Sequence, residues 1–312
     1  MIHYLKHSAI DKDRWDACIA RSCNRRIYAF SWYLDIVCPG WEALTEDDYT
    51  RVFPLTGNRK MGIGYLYQPF FTQQLGLFSP EPITVKHVTE FIEAIPAKFR
   101  FVEIQLNTQN FHLPEDGVAS TRLNHELDLS SSYEGLATAY AQNTRRNIRK
   151  AADQEVTLGS VVGTEDLISL FRENFGDREG KLSDIHYEMI RKIINRCVER
   201  QTGYIRGAYS NSGLLSAASF FLFDEHRVYF LFAASSSEAR ENGAMFLLID
   251  RFIHDHAQKP MILDFEGGNE PNLGRFYKSF GAKEVAYPAL RINRLPKIAE
   301  RALYFARKIR QR

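Results

Sequence analysis

Val228-Tyr-Phe-Leu-Phe-Ala-Ala234 is an apolar run typical of a buried strand, and the segments that follow it decide the fold. After the polar turn Ser235–Ser237, Arg240-Glu-Asn-Gly-Ala244 opens an amphipathic helix. A second apolar strand, Met261–Glu266, leads into a helix from Leu273. A helix that begins on a glycine after a strand presents free backbone N–H groups and a positive dipole end to an anion. This stretch therefore predicts a strand–helix–strand–helix unit with a phosphate-binding turn at its first helix.

The composition is that of an ordinary globular protein. Of the 312 residues, 45% are hydrophobic and 25% are charged, and this length favours two domains. The formal net charge of +2 gives no argument for nucleic-acid binding by overall charge. The longest apolar run, Leu214–Phe223, is too short to span a bilayer. Since the first residues also lack an apolar signal core, we expect a cytoplasmic protein.

The cysteines and histidines give no sign of a metal site. The four cysteines are unevenly spaced and form no CxxC pair, which indicates free thiols in a reducing compartment. His254 and His256 flank Asp255, but residues two apart on a helix face different directions. We therefore expect no bound metal.

The two halves of the chain repeat one order of helices and strands. The strands Phe101–Leu106 and Met261–Glu266 occupy equivalent places, as do Arg122–Leu129 and Val285–Ile292. This order indicates two copies of one α/β unit. Mixed helices and hairpin-linked strands favour an α+β fold with a mixed α/β sheet over a doubly wound parallel sheet.

Two further predictions concern local structure. Gly57-Asn-Arg-Lys60 has the composition of a hairpin turn between the strands Arg51–Leu55 and Gly62–Tyr67. A single helix over Ser132–Ala152 is expected to carry the domain boundary, which gives domains 1–140 and 141–312.

Four segments together resemble a known family. The chain resembles GNAT-superfamily acyltransferases of the tandem-domain type, and in particular the Fem-type (FemAB-like) peptidoglycan aminoacyltransferases. The segments that carry the resemblance are the helix end Asn143-Thr-Arg-Arg-Asn-Ile-Arg-Lys-Ala151, Asp264-Phe-Glu-Gly-Gly-Asn-Glu-Pro271, Gly274-Arg-Phe-Tyr-Lys-Ser-Phe-Gly281 and Gln68-Pro-Phe-Phe-Thr-Gln-Gln-Leu-Gly76.

The resemblance covers nearly the whole chain and implies two tandem GNAT-like acyl-CoA N-acyltransferase units. The donor site is expected in the C-terminal unit, because no loop of the Arg240 type occurs between Tyr67 and Lys86. The pyrophosphate loop of the family ends on a glycine or alanine, and Met245 stands at that position here. The chain also has no charged heptad block of the kind that forms the tRNA-contacting arm of Fem enzymes.

The expected donor site is a pyrophosphate clamp for acyl-CoA, formed by Arg240, Asn242, Gly243 and Ala244. Small residues allow the backbone to approach the phosphates, and Arg240 adds a charge-assisted contact. If this is correct, a Gly243→Val variant should keep its fold and lose donor binding. The alternative is an ordinary helix start in which Gly243 packs against a neighbour, so that the same variant would melt at a lower temperature.

Glu266 and Tyr277 are the candidate catalytic residues. A carboxylate at position 266 could remove a proton from the acceptor ammonium, and a phenol at position 277 could protonate a leaving thiolate. The alternatives are a turn carboxylate beside Gly267-Gly268 and a buried aromatic stripe of Phe276, Tyr277 and Phe280.

Basic residues suggest two further contacts. Arg145 and Arg149, which lie at helical i,i+4 spacing, are candidate substrate-binding residues for an anionic group; a solvated helix face is the alternative. The segment Leu295–Arg312 has the pattern of a basic amphipathic helix, which could contact an anionic membrane or dock on the protein.

These observations favour an N-acyltransferase that moves an acyl group from acyl-CoA directly to an amine. The acceptor stays open among amino sugars, peptides and cell-envelope precursors. Two alternatives remain: Fem-type transfer of an aminoacyl group from tRNA in peptidoglycan bridge synthesis, and a non-catalytic binding module on a GNAT scaffold. No nucleophilic serine elbow is present, which favours direct transfer over an acyl-enzyme.

Overall fold

The computed structural model of the chain forms two compact units. It describes residues 1–60, 62–111, 118–159, 162–173 and 182–295. The first unit combines Met1–Thr121 with Tyr287–Arg312, and the second is Arg122–Ala286. The boundary expected at residue 140 lies inside the second unit, because Leu127, Leu136 and Tyr140 pack in the core of that unit.

The first unit contains two groups of paired strands. In one of them, β1, β2 and β3 form an antiparallel sheet in that order, and in the other β4 pairs with β5, β5 runs parallel to β6, and β6 pairs with the end of β13. The strands are β1 (Ile2–Leu5), β2 (Glu42–Glu46), β3 (Arg51–Leu55), β4 (Gly57–Lys60), β5 (Ile63–Tyr67), β6 (Phe99–Gln105) and β13 (Lys283–Asn293).

Of the three α-helices that the structure describes in the first unit, two begin at a side-chain cap. The three helices are α1 (Lys12–Arg21), α2 (Ser31–Val37) and α3 (Val85–Glu93). The side chain of Asp11 accepts a hydrogen bond from the backbone N–H of Arg14 at the start of α1, and Thr84 caps α3 in the same way. Helix α3 then buries Val88, Phe91 and Ile92, as its apolar spacing requires.

The second unit contains a mixed sheet in the order β7-β12-β11-β10-β9-β8. Only β11 and β12 pair in parallel among the described neighbours of this sheet, and the other pairs are antiparallel. The expected α+β fold with a mixed sheet is confirmed. The strands are β7 (Val118–Asp128), β8 (Thr157–Gly159), β9 (Gly203–Tyr209), β10 (Leu215–Asp224), β11 (Arg227–Ser235) and β12 (Ile262–Asp264).

The helices of the second unit cover this sheet. Strand β10 is almost wholly buried, and Phe221 stacks on Phe252 with ring centroids 3.9 Å apart. The helices are α4 (Tyr133–Thr138), α5 (Gln142–Asp153), α6 (Thr164–Phe171), α7 (Asp184–Glu199), α8 (Ser237–Asn242), α9 (Ala244–His256) and α10 (Pro271–Lys278).

Two local predictions were wrong. Gly57–Lys60 is a strand rather than a turn, because it pairs antiparallel with Ile63–Leu66. The single helix expected over Ser132–Ala152 is two helices, α4 and α5. The backbone N–H of Ala141 donates to the carbonyl oxygen of Ser279 rather than to a carbonyl one turn earlier in the chain, so the helix is interrupted there.

Other expectations fall partly or wholly outside what can be described. The helix expected over Leu295–Arg312 lies beyond the described residues, apart from Leu295. Within the described ranges, no helix has both the length and the apolar character needed to cross a membrane. Cys18, Cys23, Cys38 and Cys197 are all free, and burial raises the pKa of Cys18 to about 11.

Candidate active site

A cleft opens in the second unit where β11 and β12 separate. Their parallel ladder joins Arg227 to Ile262 and ends with Tyr229 opposite Asp264. Strand β11 continues to Ser235, whereas β12 stops. The resulting cleft has a volume of about 480 Å³, within the range of small-molecule sites. It is lined by Phe171, Phe230, Leu231, Ala233, Ser235, Ala239, Arg240, Met245, Phe246, Phe265, Glu266, Leu273, Phe276 and Tyr277.

A β-bulge shapes the wall formed by β11. Phe220 of β10 lies opposite Phe232, but the next residue, Phe221, lies opposite Phe230, so Leu231 is an extra residue in the ladder. A bulge twists its strand and re-aims side chains, and bulges are frequent next to active sites. As a result the consecutive residues Phe230 and Leu231 both line the cleft, which a regular strand would not allow.

Tyr277 lies on an aromatic base. Its ring stacks on Phe265 with centroids 4.7 Å apart and meets the edge of Phe230 at 6.4 Å. Burial, and then the nearby Glu266 carboxylate, raise the pKa of the Tyr277 phenol above its ordinary value. The phenol is therefore protonated at neutral pH and is a weaker acid than an exposed tyrosine.

The turn that carries Glu266 is held by buried polar groups. The backbone N–H of Glu266 donates to Asp264 Oδ1 at 3.0 Å, and that of Gly267 donates to Asn124 Oδ1 at 3.1 Å. Asn124 Nδ2 in turn donates to Asp264 Oδ1 at 2.8 Å. These contacts stabilise Glu266 at a φ of +58°, a conformation that glutamate rarely adopts.

Asp264 has a structural role that separates it from Glu266. Its carboxylate is only 1% exposed, and Arg227 Nη1 lies 2.7 Å from its Oδ2 and 2.8 Å from Glu126 Oε1. Burial opposes the charge of Arg227, but the two carboxylates raise its pKa above the ordinary value. The carboxylate of Asp264 is thus occupied by structural partners, while Glu266 faces the cleft.

His125 supports the same turn. The ring is 1% exposed, and its Nδ1 lies 2.9 Å from the carbonyl oxygen of Gly267. Because a carbonyl only accepts, Nδ1 must carry the proton and donate. A side chain at position 268 would collide with this ring, so the backbone approaches it at Gly268.

Of the expected donor clamp, Arg240 alone lines the cleft. It is exposed in the last turn of α8. Asn242 is 4% exposed, donates from Nδ2 to Ser216 Oγ at 3.2 Å, and accepts the Ala244 N–H at 2.9 Å. Its side chain caps the start of α9 and is used within the fold.

Gly243 joins α8 to α9 in a left-handed conformation with a φ of +75°. The expectation that one helix opens at Arg240 was wrong, because Gly243 ends α8 and α9 begins at Ala244. A side chain at position 243 would collide with the backbone oxygen of Asn147 in α5. The missing side chain therefore makes room for a neighbouring helix, and the tolerance expected for Gly243→Val was wrong.

The start of α9 offers an anion fewer free donors than the sequence pattern implies. The N–H of Ala244 is bound by Asn242, and those of Phe246 and Leu247 donate to the carbonyl oxygen of Gly243 at 3.0 and 3.2 Å. Met245, at the position where the family has a small residue, directs its side chain to the cleft wall.

The candidate substrate-binding residues lie elsewhere on the second unit. Arg145 Nη2 donates to the carbonyl oxygens of Ala137 and Thr138 at 3.2 and 2.8 Å, so it caps the end of α4. Arg149 is exposed on α5, and neither arginine lines the cleft. Among the residues that the structure describes, no group of histidine, cysteine, aspartate or glutamate is arranged to hold a metal ion.

A comparison with known protein families matches the part of the chain that forms most of the cleft. Residues 139–279 match the family model described as acetyltransferase (GNAT) domain. This segment is similar to a GNAT domain. It contains Arg240, Met245, Glu266 and Tyr277, and the resemblance to GNAT-type acyltransferases is confirmed. No functionally curated protein shows significant similarity to the sequence.

Solved structures of similar fold extend over nearly the whole chain. FemX has 14% identity and a TM-score of 0.64, with 92% of this chain and 96% of FemX covered. A C-terminal domain of a putative lysylphosphatidylglycerol synthetase from Agrobacterium fabrum has 12% identity and a TM-score of 0.57, with 95% of each chain covered. L-PGS from Bacillus licheniformis has 12% identity and a TM-score of 0.56, with 97% and 98% covered. At these identities the likeness shows the fold alone.

Sequence reasoning missed three contributors to the GNAT-domain cleft: Leu231, Asn124 and His125. The pair Gly267-Gly268 after a strand is a signal of close backbone approach, but it does not name the approaching residue. Nothing in the local sequence marks the bulge at Leu231, because the pairing register with β10 produces it.

Substitution of Gly243 by alanine should destabilise the protein through both strain and collision. Gly213→Ala is the matched control, since Gly213 has a φ of +80° and open space around its missing side chain. We expect the control to lose about 1–2 kcal/mol from the left-handed conformation, and Gly243→Ala to lose clearly more. Urea unfolding of both variants measures this difference, and equal losses would show that the contact with Asn147 is unimportant.

Removal of the Arg227 charge should also be costly. Arg227→Ala leaves Asp264 and Glu126 facing each other without a cation, so we expect a loss of about 3–5 kcal/mol in unfolding free energy. Arg251→Ala is the control, because its pair with Asp255 is half exposed and should cost less than about 1 kcal/mol. Similar unfolding midpoints in urea for the two variants would contradict a structural role for the buried cluster.

Proposed function

We propose that this protein transfers an acyl group from acyl-CoA directly to an amine acceptor, in the cleft of its GNAT domain. The proposal is carried by one observation: Glu266 and Tyr277 line one cleft, beside the bulge of β11, within the segment that matches the family. A carboxylate and a protonated phenol are the two proton-transfer groups that this reaction uses.

In the proposed reaction, the Glu266 carboxylate accepts a proton from the acceptor ammonium, directly or through a water molecule. The free amine then attacks the thioester carbonyl, so that a C–N bond forms and the C–S bond breaks. Tyr277 donates its proton to the departing thiolate, and the products are an amide and coenzyme A. Tyr277 holds its proton at neutral pH, and because burial raises its pKa it is a weak acid, so its proton donation is expected to contribute less than the base.

The donor arm is proposed to lie along the part of β11 that extends past β12. Strand edges bind extended chains through backbone hydrogen bonds, and the pantetheine arm of coenzyme A carries two amides that suit such an edge. At the bulge, Leu231 has no opposite residue in the register with β10, and its backbone N–H is proposed as a donor to the carbonyl oxygen in the transition state. Arg240 at the rim is proposed to contact the pyrophosphate.

The acceptor is proposed to be an amino sugar, a peptide amine or a cell-envelope precursor, met in the cytoplasm. Arg145 is committed to the end of α4, which leaves Arg149 as the free basic residue of the pair proposed from the sequence. Peripheral contact of residues 295–312 with an anionic membrane remains part of the proposal.

A second candidate function is transfer of an aminoacyl group from tRNA, as in Fem-type enzymes. The observation that favours it is Met245, whose side chain occupies the cleft wall where the pyrophosphate loop of the family has a small residue. The full-length fold likeness to FemX is compatible with this alternative.

Ligand-induced stabilisation distinguishes the two donors. A ligand that binds only the folded protein raises its melting temperature, and acetyl-CoA and longer acyl-CoAs should do so while charged tRNA does not. Free coenzyme A and uncharged tRNA serve as controls. Stabilisation by charged tRNA alone would favour the second candidate, and no response to any of these ligands would favour a non-catalytic binding module.

The catalytic pair should affect turnover without affecting donor binding. We expect Glu266→Gln to lower kcat by about 10²–10⁴, since general bases contribute on this scale, and Tyr277→Phe to lower it less because a thiolate leaves readily. Release of coenzyme A in the presence of a panel of amines measures the rate. Glu199→Gln, at an exposed position at the end of α7, is the control. An unchanged kcat for Glu266→Gln would remove Glu266 from the mechanism.

A further inference from the structure

The chemical character of the cleft carries an inference about the group that is transferred. Among the described lining residues, charge is confined to Arg240 and Glu266. Phe230 and Phe265 form a nearly inaccessible base at 4% and 1% exposure. The walls are built from half-buried apolar side chains, and these are Leu231, Met245, Phe246, Phe276 and Phe171.

One wall of the cleft is open because its residues are small. On β11 the half-buried positions alternate, so Leu231, Ala233 and Ser235 share one face, and all three line the cleft. Ala239 of α8 also lines it. Small side chains on this side leave free volume next to the aromatic side chains of α9 and α10, and that volume is bounded mainly by carbon.

Met245 closes the other side of this space. Its unbranched thioether lies next to Phe246 at the start of α9, and the ring of Phe246 meets the edge of Phe276 with centroids 4.9 Å apart. A flexible methionine fills irregular apolar gaps and adapts to the shape of a ligand. At the rim, Leu273 is 37% exposed and extends the apolar surface towards solvent.

A small or charged transferred group would be a poor match for this cleft, because it would cover little apolar surface or would pair with the carboxylate proposed as the base. With the pantetheine arm along β11, an acetyl group would still leave the aromatic wall of α9 and α10 in contact with water. An aminoacyl group would bring an ammonium, and Glu266 is the only carboxylate of the described lining that could pair with it. An ion pair with that carboxylate would occupy the group that is proposed to act as the base.

We propose that the transferred group is an apolar acyl chain of several methylenes, and that Ala233, Met245 and Phe276 set its length. This inference rests on the proposed transfer from acyl-CoA and specifies its donor class. The thioester carbonyl lies at the bulge of β11, and the chain extends over the aromatic wall.

Binding of a series of acyl-CoAs tests the proposal. The dissociation constants of free coenzyme A and of its acetyl, butyryl, hexanoyl and octanoyl thioesters are measured by titration calorimetry. Each buried methylene should tighten binding by about threefold to fourfold until the cleft is filled. Equal affinity for acetyl-CoA and octanoyl-CoA would overturn the chain proposal and leave the donor intact. Failure of every coenzyme A species to bind would instead overturn the proposed function.

Two substitutions, one that reduces the cleft volume and one that enlarges it, test where the acyl chain lies. Ala233→Leu should fill the space beside the edge of β11, so that octanoyl-CoA loses more affinity than acetyl-CoA and binds no more tightly than it. Phe276→Ala should enlarge the cleft and move the tightest binding to longer chains. Ala152→Leu, at an exposed site on α5, is the control for the added leucine. Melting temperatures identify any variant that fails to fold, and an unchanged chain-length profile in the folded variants would place the acyl group elsewhere.

Discussion

The buried carboxylate of Asp264 is the group on which the arrangement of the candidate site depends. It receives a hydrogen bond from Asn124 on β7, an ion pair from Arg227 on β11, and the backbone N–H of Glu266. A carboxylate with 1% exposure is stable only when such partners satisfy it. The Asp264 side chain therefore links β7 and β11, the two strands on either side of β12, to the turn that carries Glu266, the candidate base.

This cluster also explains why the cleft opens where it does. The parallel ladder of β11 and β12 ends at the pair Tyr229–Asp264, and there the chain leaves the sheet through a turn held by Asn124 and His125. Beyond that point β11 has lost its neighbour and gains a bulge at Leu231. Strand separation, the bulge and the strained turn at Glu266 therefore lie next to one another, and the two candidate catalytic side chains, Glu266 and Tyr277, line the cleft there.

The cleft combines fold features of the GNAT domain with a departure from its phosphate loop. Gly243 is required by the close contact with α5, and Asn242 uses its side chain to cap α9. Met245 adds an apolar side chain where a small residue would leave space for a phosphate. The turn between α8 and α9 is therefore shaped by packing between helices, and recognition of a donor is expected to rely on Arg240 and on the edge of β11.

Much of this fold could be predicted from the sequence, because its signals are local. The apolar runs at β10 and β11 and the apolar spacing of α3 follow from burial within a few residues. The same local signals placed Glu266 and Tyr277 near the ends of the right elements. Local signals could not show whether Gly243 makes room for a phosphate or for the backbone of Asn147. They also could not show that His125 and Asn124 form hydrogen bonds to the turn at Gly267. Those contacts join segments far apart in the chain, and only the register of the strands and the packing of the helices brings them together.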